Sequence, residues 1–376
     1  MMKTHSGQLA RVSILVAFIP MGLVLAFAQS SKPTLATKAS IDGPSSLALY
    51  KDTYLFVVEL RDYRVRVLRI DLKNRTIITV AGNGTDCCYK EGARATQVGF
   101  GWINSIAVDS QGGLFIADDD QVRRVDAKSG LITTVAGNGR SDDTIENSSA
   151  LSTSFKSVDG LAVDRAGNLF ISDRIQGKIF EMDSVNGTIS RVAGSGKSGF
   201  SGDGGPAVDA GFLLPKSIAL DSAGNIVVAD VENCRVRRID HATGIIDTIA
   251  QSGGIKQNCP PQPNVIPWQQ SLDDPVVDAN GNVYFDEPSV GLIAKASPAP
   301  DRPVIVAGTG VKGFSGDGGG ATSAKLNNPS GLAVDSAGNL FIADFVNNRI
   351  RRVDAKTKVI TTIAGNGLPH RFDVEM

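Results

Sequence analysis

Short apolar runs alternate with small-residue turns along most of the chain, at the spacing of β-strands. In residues 331–367, four runs rich in Val, Ile, Leu, Phe and Thr are separated by turns at 336–339, 345–348 and 355–358. Turns this short join antiparallel neighbours. Runs such as Leu340–Ala343 are apolar at consecutive positions, which indicates a strand covered on both faces. The pattern predicts a four-stranded antiparallel meander.

This unit recurs through the chain. The first strand of each unit ends in "GLAVD" or a variant. In the last four units, the final residue of this motif recurs every 57 positions. The residues at this position are Tyr50, Asp109, Asp164, Asp221, Asp278 and Asp335. Six meanders stacked face to face close into a ring, so the sequence predicts an all-β fold, a six-bladed β-propeller. The alternative is an open stack, whose end faces would need capping segments that the sequence does not show.

The repeat resembles a known family. The segment Pro329 to Asp354, "PSGLAVDSAGNLFIADFVNNRIRRVD", is similar to an NHL repeat, and "AGNG" and "GFSGDGG" resemble the version in the NHL propeller of teneurins and of many exported bacterial proteins. The resemblance covers residues 43–367 and implies a six-bladed propeller of NHL type. It leaves function open, because NHL propellers include scaffolds, RNA binders and a few enzymes. Repeat 1, with Tyr50, and repeat 5, with "FDEPSVGLIAKA" at 285–296, depart from the pattern.

The first 28 residues are typical of a secretion signal. Lys3 and Arg11 precede an apolar run that ends in Ala-Phe-Ala, which predicts cleavage after Ala28 and a secreted or periplasmic protein. An uncleaved anchor is the alternative, but Pro20 interrupts a run of about 17 apolar residues, short for a bilayer. The expected order is signal 1–28, tail or edge strand 29–42, propeller 43–367 and tail 368–376. Blades are expected near 43–84, 99–139, 156–196, 213–253, 270–310 and 327–367.

Charge and histidine content exclude several functions. Removing residues 1–28 takes away Lys3, Arg11 and no acid, so the formal charge falls from -1 to about -3. This charge predicts no nucleic-acid partner. No second apolar run is long enough to cross a bilayer, so we expect no membrane span after cleavage, and we expect a monomer. The three histidines, His5, His241 and His370, lie in the signal, a turn and the tail, and cannot build a Ser-His-Asp triad or a zinc site.

These exclusions favour a non-catalytic scaffold that binds a protein, peptide or carbohydrate. We expect no cofactor, although a calcium or magnesium site of carboxylates and amides stays open. The alternative function is a divalent-metal-dependent lyase or lactonase with its site in the central channel.

The strand-end acids Asp109, Asp164, Asp221, Asp278 and Asp335 are predicted to be structural. Aspartate accepts hydrogen bonds from backbone amides two residues on, and one acid per blade cannot converge on one metal. A second set ends the second strand of each repeat: Asp118, Asp173, Asp230 and Asp344. In the last blade Asn348 and Arg349 are the expected partners of Asp344, and the paired arginines of the third strand are also expected to meet these acids.

Two glycine-rich loops, residues 199–205 and 313–319, share the sequence "GFSGDGG". A phosphate loop would continue with Lys-Ser/Thr and a helix, whereas Pro206-Ala207 and Gly320-Ala321 follow here. A calcium loop would need several oxygen ligands close together. The loops are therefore predicted to be connectors that carry the chain from one blade's rim to the next blade's centre.

Strand parity places the second-strand turns and the connectors on one face, which we call the connector face. Trp102 and Trp268 lie near the ends of the connectors that enter blades 2 and 5, on opposite sides of the ring. Two aromatic faces beside the channel mouth could grip a sugar or a peptide. The alternative is that each tryptophan packs under its own connector.

The cysteines fall on the same face. Cys234 lies in the second-strand turn of blade 4 and Cys259 in the next connector, which predicts a disulfide bond between them in an exported protein. Cys87 and Cys88 are adjacent in the connector after blade 1. They form a strained vicinal disulfide, stay free or bridge to another chain, and the sequence does not decide among these.

Overall fold

Six small antiparallel sheets arranged in a ring make up the fold. The computed structural model describes residues 33–61, 64–85, 89–252, 272–296 and 303–368. Each sheet contains four strands consecutive in the chain, and three of the sheets gain a two-residue fifth strand at one edge. Within these ranges the helices are single 3-10 turns of three residues. The predicted all-β six-bladed propeller is confirmed.

The strands are numbered in chain order. Blade 1 contains β1 (Thr34–Leu35), β2 (Pro44–Tyr50), β3 (Tyr54–Arg61), β4 (Arg64–Asp71) and β5 (Thr76–Ala81). Blade 2 contains β6 (Ile103–Val108), β7 (Leu114–Asp118), β8 (Gln121–Val125) and β9 (Ile132–Ala136). Blade 3 contains β10 (Ser148–Ser149), β11 (Val158–Val163), β12 (Leu169–Asp173), β13 (Lys178–Met182) and β14 (Thr188–Ala193).

Blade 4 contains β15 (Gly205–Pro206), β16 (Pro215–Leu220), β17 (Ile226–Asp230), β18 (Arg235–Ile239) and β19 (Ile245–Gln251). Blade 5 contains β20 (Asp273–Val277), β21 (Val283–Glu287), β22 (Leu292–Ala296) and β23 (Val304–Ala307). Blade 6 contains β24 (Pro329–Val334), β25 (Leu340–Asp344), β26 (Arg349–Val353) and β27 (Ile360–Ala364).

The first full strand of every blade lines the central channel. β2, β6, β11, β16, β20 and β24 each pack beside the next one around the ring, and β24 packs beside β2. The ring is therefore closed, and the alternative of an open stack is wrong. In all six blades the pairing of this strand with the second strand slips at the same place, a bulge that turns extra side chains toward the channel.

Apolar side chains fill the wedges between neighbouring blades. Phe170 and Ile179 of blade 3 pack with Ile218 and Val228 of blade 4 in one buried cluster. Other clusters join the remaining neighbours in the same way. Because each sheet is covered on both faces, its strands are apolar at consecutive positions, as the sequence pattern indicates.

The N-terminal segment closes the ring. β1 pairs antiparallel with β5, the outer strand of blade 1, as β10 pairs with β14 and β15 with β19 in their blades. The carbonyl oxygen of Ala36 accepts a hydrogen bond from the amide of Gly365, at the end of blade 6, over 2.9 Å. Gly194 donates to Ala207 over the same distance at the junction of blades 3 and 4. At the junction of blades 6 and 1, residues 34–36 therefore make the contacts that a connector makes between other neighbouring blades.

Candidate functional site

The "GFSGDGG" loop of residues 199–205 wraps around a fully buried arginine. The guanidinium of Arg237, on β18, lies between Asp203 of the loop, at 2.8 Å, and Asp230 at the end of β17, at 3.5 Å. It also donates to the backbone carbonyl of Ser201 over 2.8 Å, and the ring of Phe200 covers it at 5.1 Å. The loop residues that suggested a ligand site therefore bind a side chain of the protein itself.

The second copy, residues 313–319, repeats this arrangement in blade 6. Arg351 lies between Asp317, at 2.9 Å, and Asp344, at 3.2 Å, and its side chain is fully buried. The ring of Phe314 lies 4.9 Å from the guanidinium, and the carbonyl of Ser315 accepts a hydrogen bond from it. Both loops form the same arginine clamp, which agrees with the prediction of a structural connector.

Blade 2 builds the clamp from different residues. Arg123 contacts Asp118 at 3.1 Å and stacks on Tyr89 at 3.8 Å, while Glu91 accepts a hydrogen bond from the Thr134 amide. The corresponding third-strand positions of the other blades, placed by strand register, are Leu68, Phe180 and Ala294. The clamp therefore occurs in alternate blades.

Asp118, Asp230 and Asp344 meet the clamp arginines of their blades. Asp173 of blade 3 instead accepts hydrogen bonds from Gln176 and from the amide of Lys156. The expected turn partners of Asp344 also differ. Asp344 accepts two hydrogen bonds from the side-chain amide of Asn347, at 2.8 and 2.9 Å, and none from Asn348 or Arg349. Asn348 adopts φ +53 and its side chain accepts a hydrogen bond from Gly43 of blade 1. Arg349 stacks on Phe314 at 3.8 Å. Burial raises the pKa of Asp344, against the opposing effects of Asn347 and Arg351.

The first-strand acids lie in tight turns. Asp221 accepts hydrogen bonds from the backbone amides of Ala223 and Asn225 and from the Asn225 side chain. Asp109, Asp278 and Asp335 also accept hydrogen bonds from the backbone amides two and four positions on, and Asp164 accepts one from the amide four positions on. All are separate from one another around the ring, which is the geometry expected of structural turn residues.

Several predicted site residues lie outside the described ranges, namely Trp268, Cys259, Cys87 and Cys88. Trp102 precedes β6 on the connector face and its side chain is 47% exposed. Cys234 is fully buried. Its pairing with Cys259 stays a prediction.

The connector face carries large exposed apolar side chains. Trp102, Ile145 and Phe314 lie in connectors, and Ile175 and Val346 lie in second-strand turns. Contacts between these two kinds of loop, such as the hydrogen bond from Asn347 to the carbonyl of Gly313, confirm that they share one face. The face therefore presents apolar groups from several blades around one channel mouth.

The central channel holds a cavity of about 100 Å³ lined by the first strands of all six blades. Six residues occupy one ring of equivalent positions at the bulges: Ser46, Ser105, Gly160, Ser217, Asp274 and Gly331. Five of them are serine or glycine, and Asp274 alone in this ring is charged. Its Oδ1 atom accepts a hydrogen bond from the Ser217 hydroxyl.

Further charged groups surround Asp274. Lys216, next to Ser217, donates to Asp273 over 3.0 Å. Asp286, on β21, is fully buried, and neither of its oxygens accepts a hydrogen bond within normal geometry. Burial raises the pKa of Asp286 well above its usual range and the carboxylates of Asp274 and Asp273 raise it further, whereas Lys216 and the amide of Gly331 oppose the shift. Burial opposes the charge of Lys216, but the three carboxylates outweigh it and raise its pKa.

Sequence reasoning did not identify Asp273, Asp274 and Asp286 as a possible site, although the sequence of blade 5 departs from the repeat there. "DDPVVD" replaces "KSIALD" in blade 5, and the departure of residues 285–296 from the repeat includes Asp286. Within the described ranges, no group of three or more His, Cys, Asp or Glu residues has a spacing that could hold a metal ion. The calcium or magnesium site that the sequence left open therefore has no candidate ligand set in that part of the chain.

A larger cavity of about 580 Å³ lies between blades 6 and 1. Arg75, Arg352, Asp71 and Asp335 line it together with Phe341. Arg352 pairs with Asp354 at 3.1 Å, whereas the equivalent Arg238 of blade 4 pairs with the turn acid Asp221. Since charges of both signs line this cavity, it favours no particular ligand charge.

Asp286→Ala should raise the free energy of unfolding at pH 8 by about 1–2 kcal/mol, because a buried carboxyl without a hydrogen-bond partner costs stability. Alanine fits here, since Ala117, Ala229 and Ala343 hold the same register position in blades 2, 4 and 6. The folded-state pKa is raised, so wild-type stability falls as pH rises from the unfolded pKa through the folded one. Urea unfolding should show a smaller advantage of the variant at pH 5. A variant less stable at both pH values would contradict this account.

Comparison with known proteins agrees with the ring of repeats. The family profile described as Teneurin NHL domain matches residues 302–371, and the profile described as NHL repeat matches residues 212–239. Together with the six-sheet ring, these matches define the chain as an NHL-repeat β-propeller. Within that class it is similar to teneurins: Teneurin-1 of Mus musculus is 28% identical over 228 residues, which cover 54% of this chain and 8% of that protein.

Other relatives extend the likeness over more of the chain. The protein SUPPRESSOR OF QUENCHING 1, chloroplastic, of Arabidopsis thaliana is 26% identical over 322 residues, 84% of this chain and 25% of that protein. The chain thus spans a minor part of the curated relatives it matches.

Solved structures share the fold. A streptogramin B lyase superposes with a TM-score of 0.53 at 11% identity, over 90% of this chain and 87% of the lyase. An auxiliary nutrient binding protein from Bacteroides thetaiotaomicron superposes with a TM-score of 0.57 at 17% identity, over 86% of this chain and 70% of that one. At these identities the likeness defines the fold and carries no reaction to this chain.

Proposed function

We propose that this chain is an exported, non-catalytic protein-interaction scaffold that binds its partner with the connector face. The observation that carries the proposal is the set of large exposed apolar side chains on that face, among them Trp102, Ile145, Ile175, Phe314 and Val346. Exposed aromatic and aliphatic groups gathered on one face of a soluble domain favour a protein or peptide partner, and aromatic residues are enriched among those that dominate binding energy.

Buried ion pairs hold the loops of the connector face in place. The arginine clamps tie the connectors of blades 4 and 6 to the third strands, through Arg237 and Arg351. A surface that is ordered before binding loses little conformational entropy when a partner docks. The export proposal rests on residues 1–28 of the sequence. In the described part of the chain, no helix has the length and apolar character needed to cross a bilayer.

Replacing Trp102, Ile175 and Val346 together by Ser should weaken binding of a protein partner at least tenfold, because these side chains supply apolar contact area at an interface. All three are exposed in the free protein, so the fold should be kept. The measurement is quantitative affinity capture of exported and surface proteins with wild type and variant as baits, followed by titration of the captured protein.

The matched control is Val185→Ser. Val185 is 93% exposed in the third-strand turn of blade 3, on the opposite face. We expect the control to bind like wild type. A partner that binds the triple variant as tightly as wild type, or that loses binding with the control, would overturn the assignment to the connector face.

A further inference from the structure

The bulges of blades 4 and 5 bring an excess of negative charge to one side of the channel. Asp273, Asp274 and Asp286 provide three carboxyl groups, and Lys216 provides one ammonium group. Lys216 is paired with Asp273 at 3.0 Å. Among the residues that the structure describes, Asp274 and Asp286 are therefore left without a cationic side chain of their own. In a low-dielectric interior, such an arrangement is costly unless a cation or a proton compensates it.

The side chain of Asp286 gives independent evidence that the charge of this acid group is not compensated. It is fully buried and neither oxygen accepts a hydrogen bond within normal geometry, although the amide of Gly331 opposes the rise of its pKa. The register equivalents in blades 2, 4 and 6 are alanines, so the propeller does not need a carboxylate at this position. Buried polar groups in folded proteins nearly always have a partner.

Asp274 is unusual in its backbone as well as its charge. It adopts φ +42, in the left-handed region that costs free energy for residues other than glycine. The equivalent ring position holds glycine in blades 3 and 6, as Gly160 and Gly331, and serine in the others. A charged residue in a strained conformation at the wall of a cavity is typical of a functional position.

The size and lining of the cavity limit the ligand. A volume of about 100 Å³ accommodates a few non-hydrogen atoms, since one water takes about 30 Å³. Apolar side chains, including Leu47, Ile106, Leu161 and Ile218, line the cavity beside Asp274 and Ser217. The described acids are not spaced to coordinate a metal ion. A cation with hydrogen-bond donors at one end and a short apolar part at the other matches this lining.

We propose that the channel binds the primary ammonium group of a small aliphatic amine, with its N–H groups directed to Asp274, which lines the cavity. The carboxyl group of Asp286 is buried outside the cavity lining and contributes through its negative charge. The alkyl part lies against the apolar residues of the neighbouring first strands. This site is separate from the apolar side chains of the connector face, and the proposal does not depend on a protein partner.

The test is the binding of ethylammonium to the full mature chain. Binding is measured by calorimetric titration and by the rise in melting temperature. A ligand that binds the folded state raises stability in a saturable way. Wild type should bind ethylammonium, whereas tetramethylammonium, which has no N–H donor and is larger, should not bind. A short acetylated peptide amide with one lysine distinguishes free amines from lysine side chains as the source of the ammonium group.

Two variants use residues that other blades carry at the same positions, so both should fold. Asp274→Ser should weaken ethylammonium binding at least tenfold. Asp286→Ala should weaken it by a smaller factor, because Asp286 does not line the cavity and acts through its charge. Asp142→Ser removes one charge from an exposed connector position and should bind like wild type. The variant with Trp102, Ile175 and Val346 replaced by Ser should also keep ethylammonium binding. Ethylammonium binding and partner binding can therefore fail independently, which distinguishes this proposal from the proposed function.

Three results would overturn the proposal. The first is the absence of saturable ethylammonium binding to wild type. The second is an equal response to tetramethylammonium, or an equal response in Asp274→Ser, either of which indicates a nonspecific salt effect. The third is binding of calcium or magnesium that Asp274→Ser abolishes while ethylammonium has no effect, which would assign the carboxylates to a metal.

Discussion

Arg351→Met should lower the free energy of unfolding at pH 8 by about 3–5 kcal/mol, because it leaves the buried carboxylate of Asp344 without its cation. The guanidinium now contacts Asp344 at 3.2 Å and Asp317 at 2.9 Å and is fully buried. It also holds the connector through the carbonyl of Ser315. Urea unfolding of the purified chain, followed by far-ultraviolet circular dichroism, measures the change.

The neighbouring Arg352→Met is the matched control. Arg352 is partly exposed and pairs with Asp354 at 3.1 Å, and exposed ion pairs contribute about 0–1 kcal/mol. The double variant Arg351→Met with Asp344→Asn should recover part of the loss, because it removes the uncompensated charge. Equal losses in the two single variants, or no recovery in the double variant, would show that Arg351 acts through packing volume instead.

The loss caused by Arg351→Met should also depend on pH. Burial already raises the pKa of Asp344, and loss of the arginine raises it further. A carboxyl whose folded-state pKa is raised costs no stability below its unfolded-state pKa, and the cost grows as the pH rises through the folded-state pKa. The destabilisation should therefore be smaller at pH 5 than at pH 8, and a loss independent of pH would contradict this mechanism.

Gly82→Ala should lower the free energy of unfolding by about 2–5 kcal/mol, since it adds a steric clash to backbone strain. Gly82 is the first glycine of "AGNG" at the end of β5 and adopts φ +88. A Cβ atom there would lie 2.5 Å from the carbonyl oxygen of Val65 and 2.8 Å from the Cα of Arg66. The same unfolding measurement applies.

Gly84→Ala, two residues later in the same motif, separates the two costs. Gly84 adopts φ +77, but a Cβ atom there would meet nothing within 4 Å. Its expected cost is the strain of the left-handed conformation, about 1–2 kcal/mol. If the two alanine variants lose equal stability, the close approach of β5 to β4 does not explain why glycine is needed at position 82.

The repeat alone determines most of the fold. The period of 57 residues and the four apolar runs in each unit predict blades, strand order and ring size, because turns of a few residues leave only antiparallel neighbours. The acids Asp221 and Asp335 occupy the turns that their sequence context indicates. Local hydrogen bonding of aspartate decides those turns, so the sequence suffices.

The sequence predicts that the two "GFSGDGG" loops are connectors, but it does not predict which residues they contact. The glycines of "GFSGDGG" indicate a connector, and Arg237 and Arg351 are visible in the repeat. The contact between Asp203 and Arg237 joins residues 34 positions apart, which no local rule gives. The choice of Asn347 over Asn348 as the partner of Asp344 depends on the left-handed conformation of Asn348 at the end of the turn.

The sequence by itself determined the class of fold, the number of blades and the face that carries the connectors, since these follow from local periodicity and strand parity. Only the tertiary structure decided how the ring closes and where charge gathers. Residues 34–36 bridge blade 6 and blade 1 by contacts with partners far away in the chain, such as Gly365. Lys216 pairs with Asp273 of the next blade, and Asp274 and Asp286 lie close enough to raise its pKa. The first strands of neighbouring blades converge on one axis and bring these residues together, although they are at least 57 positions apart in the sequence.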